Sequence, residues 1–183
     1  SRWDDYGKKC LEEINTNSQN FLIENVDSFY VKTGIWNDLK REIGDLKGKR
    51  ILEVGMGLGK FSVFLAKQGA EVTGIDIGEN LVKFATELAV VNNVKCNFIN
   101  SSTTNLDLQV ESFDLIIGLV FLHHLTEENV LEAFFKFNRI LKPNGKAIFV
   151  EPVENSRIFN FLQNLIPLRN RPSIMPVSYT HLR

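Results

Sequence analysis

An acidic residue and three glycines stand where they could bind a ligand, in the stretch E-V-G-M-G-L-G-K. Glu53 ends an apolar run, and Gly55, Gly57 and Gly59 follow it at every second position. Glycines at these places let the chain turn tightly and let a ligand lie against bare backbone. The next segment, Lys60–Gln68, has helical character, so the free N–H groups at its start would point towards that ligand. The pattern predicts a ligand-binding turn between a buried strand and a helix.

The spacing of the glycines separates three kinds of nucleotide-binding turn. A dinucleotide-binding turn, G-x-G-x-x-G, would need glycine where this chain has Lys60, which disfavours an NAD-dependent oxidoreductase. A P-loop, G-x-x-x-x-G-K-[ST], would need glycine in place of Val54 and a hydroxyl residue in place of Phe61. The pattern that remains, E-x-G-x-G-x-G, resembles motif I of the class I S-adenosylmethionine-dependent methyltransferases.

The resemblance implies a site for the amino acid end of S-adenosylmethionine. The backbone of Gly55, Met56 and Gly57 would hold this end, and Glu53 would face its ammonium group directly or through water. A carboxylate beside a glycine turn suits a cation, although Glu53 could instead only cap or solvate the turn. The full set of implied cofactor-binding residues is Glu53, Gly55, Met56, Gly57, Gly59, Asp76, Ile77, Ser102, Gly118 and Leu119.

An acceptor for the ribose is expected at the end of the second strand, where the chain has Asp76. A carboxylate can accept both ribose hydroxyls, and an acidic residue recurs at this distance from the glycine turn in nucleotide-binding α/β folds. Ile77 would pack on one face of the adenine. Asp76 could instead serve only as a helix cap.

The adenine assignment departs from the family pattern. Family members often place an aspartate after the third strand, and that position falls on Ser102. A serine hydroxyl can accept from the exocyclic amine without charge assistance, so we expect weaker binding here. Asn100, Ser101 and Thr103 are alternatives that the sequence does not separate.

The fourth strand and its end, F-D-L-I-I-G-L-V-F-L-H-H-L, resemble the small-molecule branch that includes the ubiquinone and menaquinone biosynthetic methyltransferases. Gly118 and Leu119 would line the cofactor pocket through their backbone. The [ND]-P-P-[YF] turn of the enzymes that methylate adenine or glutamine is not present in the sequence, which argues against amide and base acceptors.

His123 and His124 allow two interpretations. Either histidine could act as a general base that removes a proton from an acceptor hydroxyl or carbon acid. Alternatively, they bond to backbone and shape the pocket. We expect no metal site, because adjacent histidines do not face the same way and no third ligand is evident.

Strands and helices alternate from residue 50 onwards, which predicts an α/β fold with a Rossmann-like, doubly wound parallel sheet. The predicted strands are Arg50–Val54, Glu71–Ile75, Lys95–Ile99, Phe113–Gly118 and Lys146–Val150, and the predicted helices are Lys60–Gln68, Asn80–Val91 and Glu127–Leu141. The turn L-K-P-N-G before the last strand matches the family. Glu151 ends that strand and would touch the substrate or cap a loop.

Three regions are expected: an N-terminal helical cap or lid over residues 1–49, the cofactor-binding core over 50–152, and a C-terminal segment over 153–183. One or two helices should form the first region, with Gly44 and Gly48 at its junction with the core. In the last region we expect a helix over Ser156–Ile166, no terminal antiparallel strands, and a foreign tail. The tail is expected because residues 176–183 resemble translated sequencing-adaptor read-through, which also implies a shortened reading frame.

The composition of the chain limits the kinds of partner and the cellular location that we expect. A net charge of −1 over 183 residues gives no electrostatic reason to expect nucleic acid. No apolar run approaches the roughly 20 residues of a membrane helix and no signal peptide opens the sequence, so we expect no membrane insertion and a cytoplasmic location. Cys10 and Cys96 lie far apart in the sequence, and we expect both to be reduced thiols.

Four ordered elements carry the resemblance: motif I, Asp76, the F-D…H-H strand and L-K-P-N-G. Together they imply an S-adenosylmethionine-dependent enzyme that methylates an O, C, N or S atom of a small molecule. A non-catalytic protein of the same fold, a binding or regulatory module, is the alternative, motivated by Ser102 and the missing terminal strands.

Overall fold

The computed structural model describes residues 2–32, 34–152 and 173–177 and contains one six-stranded parallel sheet. The strands are β1 (Arg50–Val54), β2 (Glu71–Asp76), β3 (Cys96–Asn100), β4 (Phe113–Leu119), β5 (Leu141–Pro152) and β6 (Ser173–Val177). The helices are α1 (Arg2–Thr16), α2 (Ser28–Lys32), α3 (Ile35–Ile43), α4 (Lys60–Lys67), α5 (Glu79–Val91) and α6 (Glu127–Ile140). The strand order is β3-β2-β1-β4-β5-β6. Strands β2 and β3 therefore lie on one side of β1 and the later strands on the other, so the order switches between the neighbours β1 and β4. Ligands bind at such a switch point, beyond the carboxyl ends of the strands.

The apolar runs form strands because helices cover both faces of the sheet. Ile51 packs on one face with α3 and α4, whereas Leu52 packs on the other face with α6. Both side chains are fully buried. The predicted Rossmann-like parallel fold is therefore confirmed.

Element ends differ from the predicted ones by a few residues. Helix α6 starts where predicted, with the Thr126 hydroxyl accepting from the Asn129 N–H at 3.3 Å, and it ends at Ile140. Strand β5 already begins at Leu141, and the P-N-G turn interrupts its pairing with β4 rather than preceding it. Asn144 has a φ of +67°, a conformation that asparagine tolerates better than most residues.

The sixth strand was not predicted. Residues 173–177 pair in parallel with β5, from Ile148 opposite Ser173 to Pro152 opposite Val177. Pro176 lies within this strand, which is tolerated because β6 is at the edge of the sheet. Within the described residues every strand pairing is parallel. The predicted helix Ser156–Ile166 lies outside the described residues.

The N-terminal region contains three α-helices and a 3-10 turn rather than one or two helices. Asp4 fixes α1 to the start of α5, because its carboxylate accepts from the backbone and the side-chain nitrogen of Asn80, both at 2.8 Å. Trp36 of α3 packs edge-on against Phe64 of α4 with ring centroids 5.1 Å apart. Gly44 ends α3 with a positive φ at the predicted junction.

Candidate functional site

The glycine turn follows β1 at the carboxyl edge of the sheet. Gly55, Gly57 and Gly59 have φ values of +65°, +54° and +67°, a region that disfavours residues with a Cβ atom. The Gly59 N–H donates to the Met56 carbonyl at 2.9 Å, which closes the turn, and Gly59 is the N-cap residue of α4. The predicted turn between a strand and a helix is present.

The three glycines differ in what surrounds them. A Cβ atom on Gly55 would overlap the Phe121 ring, and one on Gly59 would lie 2.6 Å from the Ala85 methyl group. A Cβ atom on Gly57 would meet nothing within 4 Å. Gly59 therefore allows α4 and α5 to pack closely, whereas Gly57 leaves open space above bare backbone.

Met56 turns its side chain away from this open space. The residue is buried, and its sulfur lies 2.5 Å from the Cβ position of Gly74 in β2. The Met56 N–H donates to the Ile75 carbonyl at 3.1 Å. Met56 could therefore offer a ligand its carbonyl oxygen, but neither its N–H group nor its side chain.

Asp76 ties the glycine turn to the start of α5. Its Oδ2 accepts from the Gly57 N–H and its Oδ1 from the Gly78 N–H, both at 2.9 Å. A carboxylate has about four acceptor positions, so two remain for hydroxyl donors. Ile77 follows and is 74% exposed, which leaves its side chain open to a flat apolar ligand.

Glu53 lies beneath the turn and is only 3% exposed. The Ser62 hydroxyl of α4 donates to its Oε2. Burial raises the pKa of Glu53 to about 7, the Ser62 hydrogen bonds oppose this rise, and the nearby negative charge of Asp76 adds to it. A cationic group placed at the turn would favour the ionised form of Glu53.

Most polar groups of the residues after β3 form hydrogen bonds within the protein. Ser102 shares a hydrogen bond of 3.0 Å with the Thr104 hydroxyl. The Ser101 N–H and the Asn100 side chain both donate to the Asp76 carbonyl, at 3.0 and 3.1 Å. Thr103 is buried. These contacts fix the segment beside Asp76, and they leave the adenine assignment to Ser102 a prediction.

Gly118 is tightly packed in β4. A Cβ atom there would lie 2.7 Å from the Phe149 ring and 3.1 Å from Val54. The glycine is therefore required by packing between neighbouring strands, and only its backbone could face a ligand. Leu119 ends the strand and is partly buried against the apolar core.

A buried carboxylate from β5 holds the segment that follows β4. Glu151 is 7% exposed. Its Oε1 accepts from the backbone N–H groups of Phe121 and Leu122 at 2.7 and 2.6 Å, and its Oε2 lies 2.9 Å from Nδ1 of His123. Glu151 therefore orders the segment as a loop cap and also contacts one of the two predicted histidines.

His124 lies beside His123, with ring centroids 4.0 Å apart. Burial lowers the pKa of His124, and the neighbouring His123 lowers it further, whereas Glu151 and Asp76 oppose the shift. The histidine pair follows the carboxyl end of β4, and the neighbouring Phe121 ring covers Gly55, so the pair lies on the same edge of the sheet as the glycine turn. No cluster of three or more metal-ligating side chains occurs among the described residues.

Two contacts of this edge were missed in the sequence. The bond between Ser62 and Glu53 joins α4 to β1, and the ring of Phe121 covers Gly55. A polar residue inside the apolar run F-S-V-F-L was a usable signal for Ser62, because a buried hydroxyl needs a partner. No local sequence pattern predicts the contact of Phe121 with Gly55.

The part of the chain that the structure describes contains no helix long and apolar enough to cross a membrane.

Known proteins resemble this chain in sequence and in fold. The chain is 33% identical over 138 residues to the ubiquinone biosynthesis O-methyltransferase of Rickettsia bellii, covering 75% of this chain and 51% of that protein. An S-adenosylmethionine-dependent methyltransferase structure from Mesorhizobium loti superposes with a TM-score of 0.56 at 27% identity, over 62% of this chain and 51% of that one. The structure of the [4+2]-cyclase SpnF superposes with a TM-score of 0.57 at 25% identity, over 67% of this chain and 47% of that one.

The chain spans about half the length of the curated relative from Rickettsia bellii. Residues 51–145, more than half of the chain, match the family described as "Methyltransferase domain". The matched residues run from β1 to the start of β5 and contain the glycine turn, Asp76 and both histidines. The chain belongs to the family of class I S-adenosylmethionine-dependent methyltransferases.

Proposed function

We propose that this protein binds S-adenosylmethionine at the carboxyl edge of β1 and β2 and methylates a small-molecule acceptor. One observation carries the proposal. The backbone at Gly57 is open above and is held from the side by the carboxylate of Asp76. Bare backbone next to an acceptor for hydroxyl groups fits a ligand that combines an amino acid end with a ribose.

The described residues fit the parts of this cofactor. Glu53 would face the ammonium group from below the turn, and Asp76 would accept the ribose hydroxyls with its two remaining acceptor positions. The exposed side chain of Ile77 would pack on the adenine. Ser102 would accept from the exocyclic amine if its bond with Thr104 opens.

The protein would accelerate the transfer mainly by placement. When bound, S-adenosylmethionine supplies a methyl group on a positively charged sulfur that leaves as a neutral thioether. The glycine turn would fix the position of this methyl group, and the segment from Val120 to His124 would form the opposite wall. Alignment of the acceptor and exclusion of water can contribute about 7–11 kcal/mol to such a reaction.

The proposal also covers the chemical nature of the acceptor, the roles of the chain's regions and the place in the cell where the protein acts. We infer a small molecule with a nucleophilic O, N, S or C atom, because the family and the relative from Rickettsia bellii point to such acceptors. The helices of residues 1–49 are proposed as the cap of the acceptor site, the region 50–152 as the cofactor-binding core, and the cytoplasm as the place of action.

The test is transfer of a labelled methyl group. The protein is incubated with methyl-labelled S-adenosylmethionine and a metabolite extract, and labelled products are separated from the cofactor. We expect a labelled product that is not formed when S-adenosylhomocysteine is added in excess. Binding of the cofactor without any labelled product would contradict the proposal.

A second function is favoured by one comparison. The [4+2]-cyclase SpnF shares this fold at 25% identity, so the fold alone does not require methyl transfer. A protein that binds the cofactor without using its methyl group, whether a regulator or a different enzyme, would give binding heat but no labelled product. The labelled-transfer experiment, together with a calorimetric titration of the cofactor, therefore separates the two functions.

A further inference from the structure

The segment that links β4 to α6 begins with a strained residue. Val120 has a φ of +55°, which is rare for a β-branched side chain. Its N–H donates to the Val150 carbonyl at 2.7 Å, and the next two N–H groups donate to Glu151. Strain of this kind persists only where the surroundings determine the conformation, and it clusters at functional sites.

Glu151 connects this strained segment to the cofactor edge. By capping the N–H groups of Phe121 and Leu122, it holds the Phe121 ring against Gly55. The same carboxylate contacts Nδ1 of His123. The position of His123 relative to the glycine turn thus depends on one buried side chain.

The chemistry of the contact fixes the tautomer of His123. A carboxylate can only accept, so a hydrogen bond to Oε2 requires the proton on Nδ1. The neutral ring then carries its lone pair on Nε2, which is the nitrogen that the contact leaves free. The His123 side chain is 33% exposed, so solutes can reach the ring.

We propose that Glu151 is a positioning residue that holds His123 with its Nε2 free to take a proton from an acceptor hydroxyl. The inference rests on the proposed methyl transfer for its chemical meaning. In the reaction the acceptor O–H bond breaks and its proton goes to Nε2. The oxygen forms a bond to the methyl carbon, and the electron pair of the broken carbon–sulfur bond stays on the sulfur.

The geometry selects His123 over His124 for this role. The carboxylate of Glu151 orients the ring of His123, whereas the ring of His124 lies against that of His123, 4.0 Å away, and makes no hydrogen bond to another described side chain. A base whose second nitrogen is bonded to a buried carboxylate keeps one orientation and one tautomer through the reaction.

Glu151→Gln is the sharpest variant for the test. The glutamine oxygen can still accept from Phe121 and Leu122, so the loop cap is retained. Its amide N–H group then faces Nδ1 of His123 as a donor, which moves the ring proton to Nε2. Asp114→Asn is the matched control, because Asp114 accepts from the Arg50 N–H at 2.9 Å and from Lys142 at the opposite edge of the sheet.

The first readout is the imidazole nitrogen spectrum, recorded by NMR at about pH 8, above the ordinary histidine pKa of about 6.5. The chain has three histidines, and loss of a signal in His123→Asn assigns the ring. We expect the Nδ1–H tautomer in the wild type and in Asp114→Asn, and the Nε2–H tautomer in Glu151→Gln. The Nε2–H tautomer in the wild type would overturn the proposal.

The second readout is the rate of labelled methyl transfer. We expect Glu151→Gln to lower the rate by about 100-fold or more, the scale of a lost general base, with unchanged binding of S-adenosylhomocysteine. An unchanged rate in Glu151→Gln would overturn the role of His123 as base. A wild type that transfers no methyl group would refute the proposed function instead, and the NMR spectrum would still decide whether Glu151 positions His123.

Discussion

Single residues at the carboxyl edge of the sheet divide into those that shape it and those that could bind a ligand. The sequence led us to expect that Glu53 and Asp76 bind ligand, because Glu53 precedes the glycine turn and Asp76 follows the second strand. The structure adds a second task to each: Asp76 braces the turn through Gly57, and Glu53 pairs with Ser62. Contacts between distant segments, such as Glu151 with His123, leave no periodic pattern in the sequence and were therefore not predictable.

Glu53→Gln should stabilise the protein above neutral pH. The pKa of Glu53 is raised from 4.5 to about 7 in the folded protein, so the folded state holds a proton that the unfolded chain has already lost. The free energy of unfolding of the wild type therefore falls as pH rises from about 4.5 to about 7. Glutamine removes this dependence, and the gain at pH 8 should be about 3 kcal/mol.

Urea unfolding of both proteins at pH 5 and pH 8 measures this difference. The gain should be clear at pH 8 and much smaller at pH 5, where Glu53 is largely protonated. A gain of the same size at both pH values would show that ionisation of Glu53 is not its cause.

At the scale of elements, short apolar runs rich in Val, Ile or Phe predicted β1, β2 and β4 to within one residue. These strands are buried on both faces, so composition alone marks them. Strand β6 has no such signature because it lies at the edge and contains Pro176. The N-terminal region has one helix more than the one or two expected, and its shortest helix, α2, has only five residues, too few to show a helical period.

Two matched variants of the glycine turn should separate its effect on ligand affinity from its effect on protein stability. Gly57→Ala introduces a Cβ atom into open space at a positive φ, with a strain of about 1 kcal/mol. Gly59→Ala adds a clash with Ala85 at 2.6 Å to a similar strain. We therefore expect Gly59→Ala to lower the melting temperature more, and Gly57→Ala to weaken S-adenosylhomocysteine binding more relative to its loss of stability.

Thermal unfolding and calorimetric titration of the two variants provide both quantities. Equal losses of stability would mean that α4 can move away from α5. Full affinity in Gly57→Ala would mean that no ligand approaches the backbone at that glycine.

The packing of α1 on α5 depends on Gly7. A Cβ atom at Gly7 would lie 2.9 Å from the backbone nitrogen of Leu81. Alanine is favoured over glycine within a helix by about 1 kcal/mol, yet Gly7→Ala should destabilise the docked α1 because its methyl group meets backbone. Amide hydrogen exchange should become faster in α1 for Gly7→Ala and stay unchanged for Lys8→Ala, an exposed neighbour. Slower exchange in Gly7→Ala would show that helix propensity outweighs the contact.

The whole molecule brings the glycine turn, Asp76 and the two histidines to one edge of the sheet, and it spans 51% of its relative from Rickettsia bellii. The alternation of strands and helices predicted the doubly wound parallel sheet, because such a sheet follows from local patterns and right-handed connections. The number of N-terminal helices and the parallel edge strand β6 depend on packing against that sheet. They became visible only in three dimensions.

Calorimetric titration with S-adenosylmethionine and S-adenosylhomocysteine tests the central claim most directly, because it asks whether the edge formed by Gly57 and Asp76 holds this cofactor. We expect both ligands to bind the wild type and Asp114→Asn alike. Asp76→Ala should lose about 1–3 kcal/mol of binding free energy, the scale of a charge-assisted hydrogen bond. No heat of binding to the folded wild type at millimolar ligand would contradict the account.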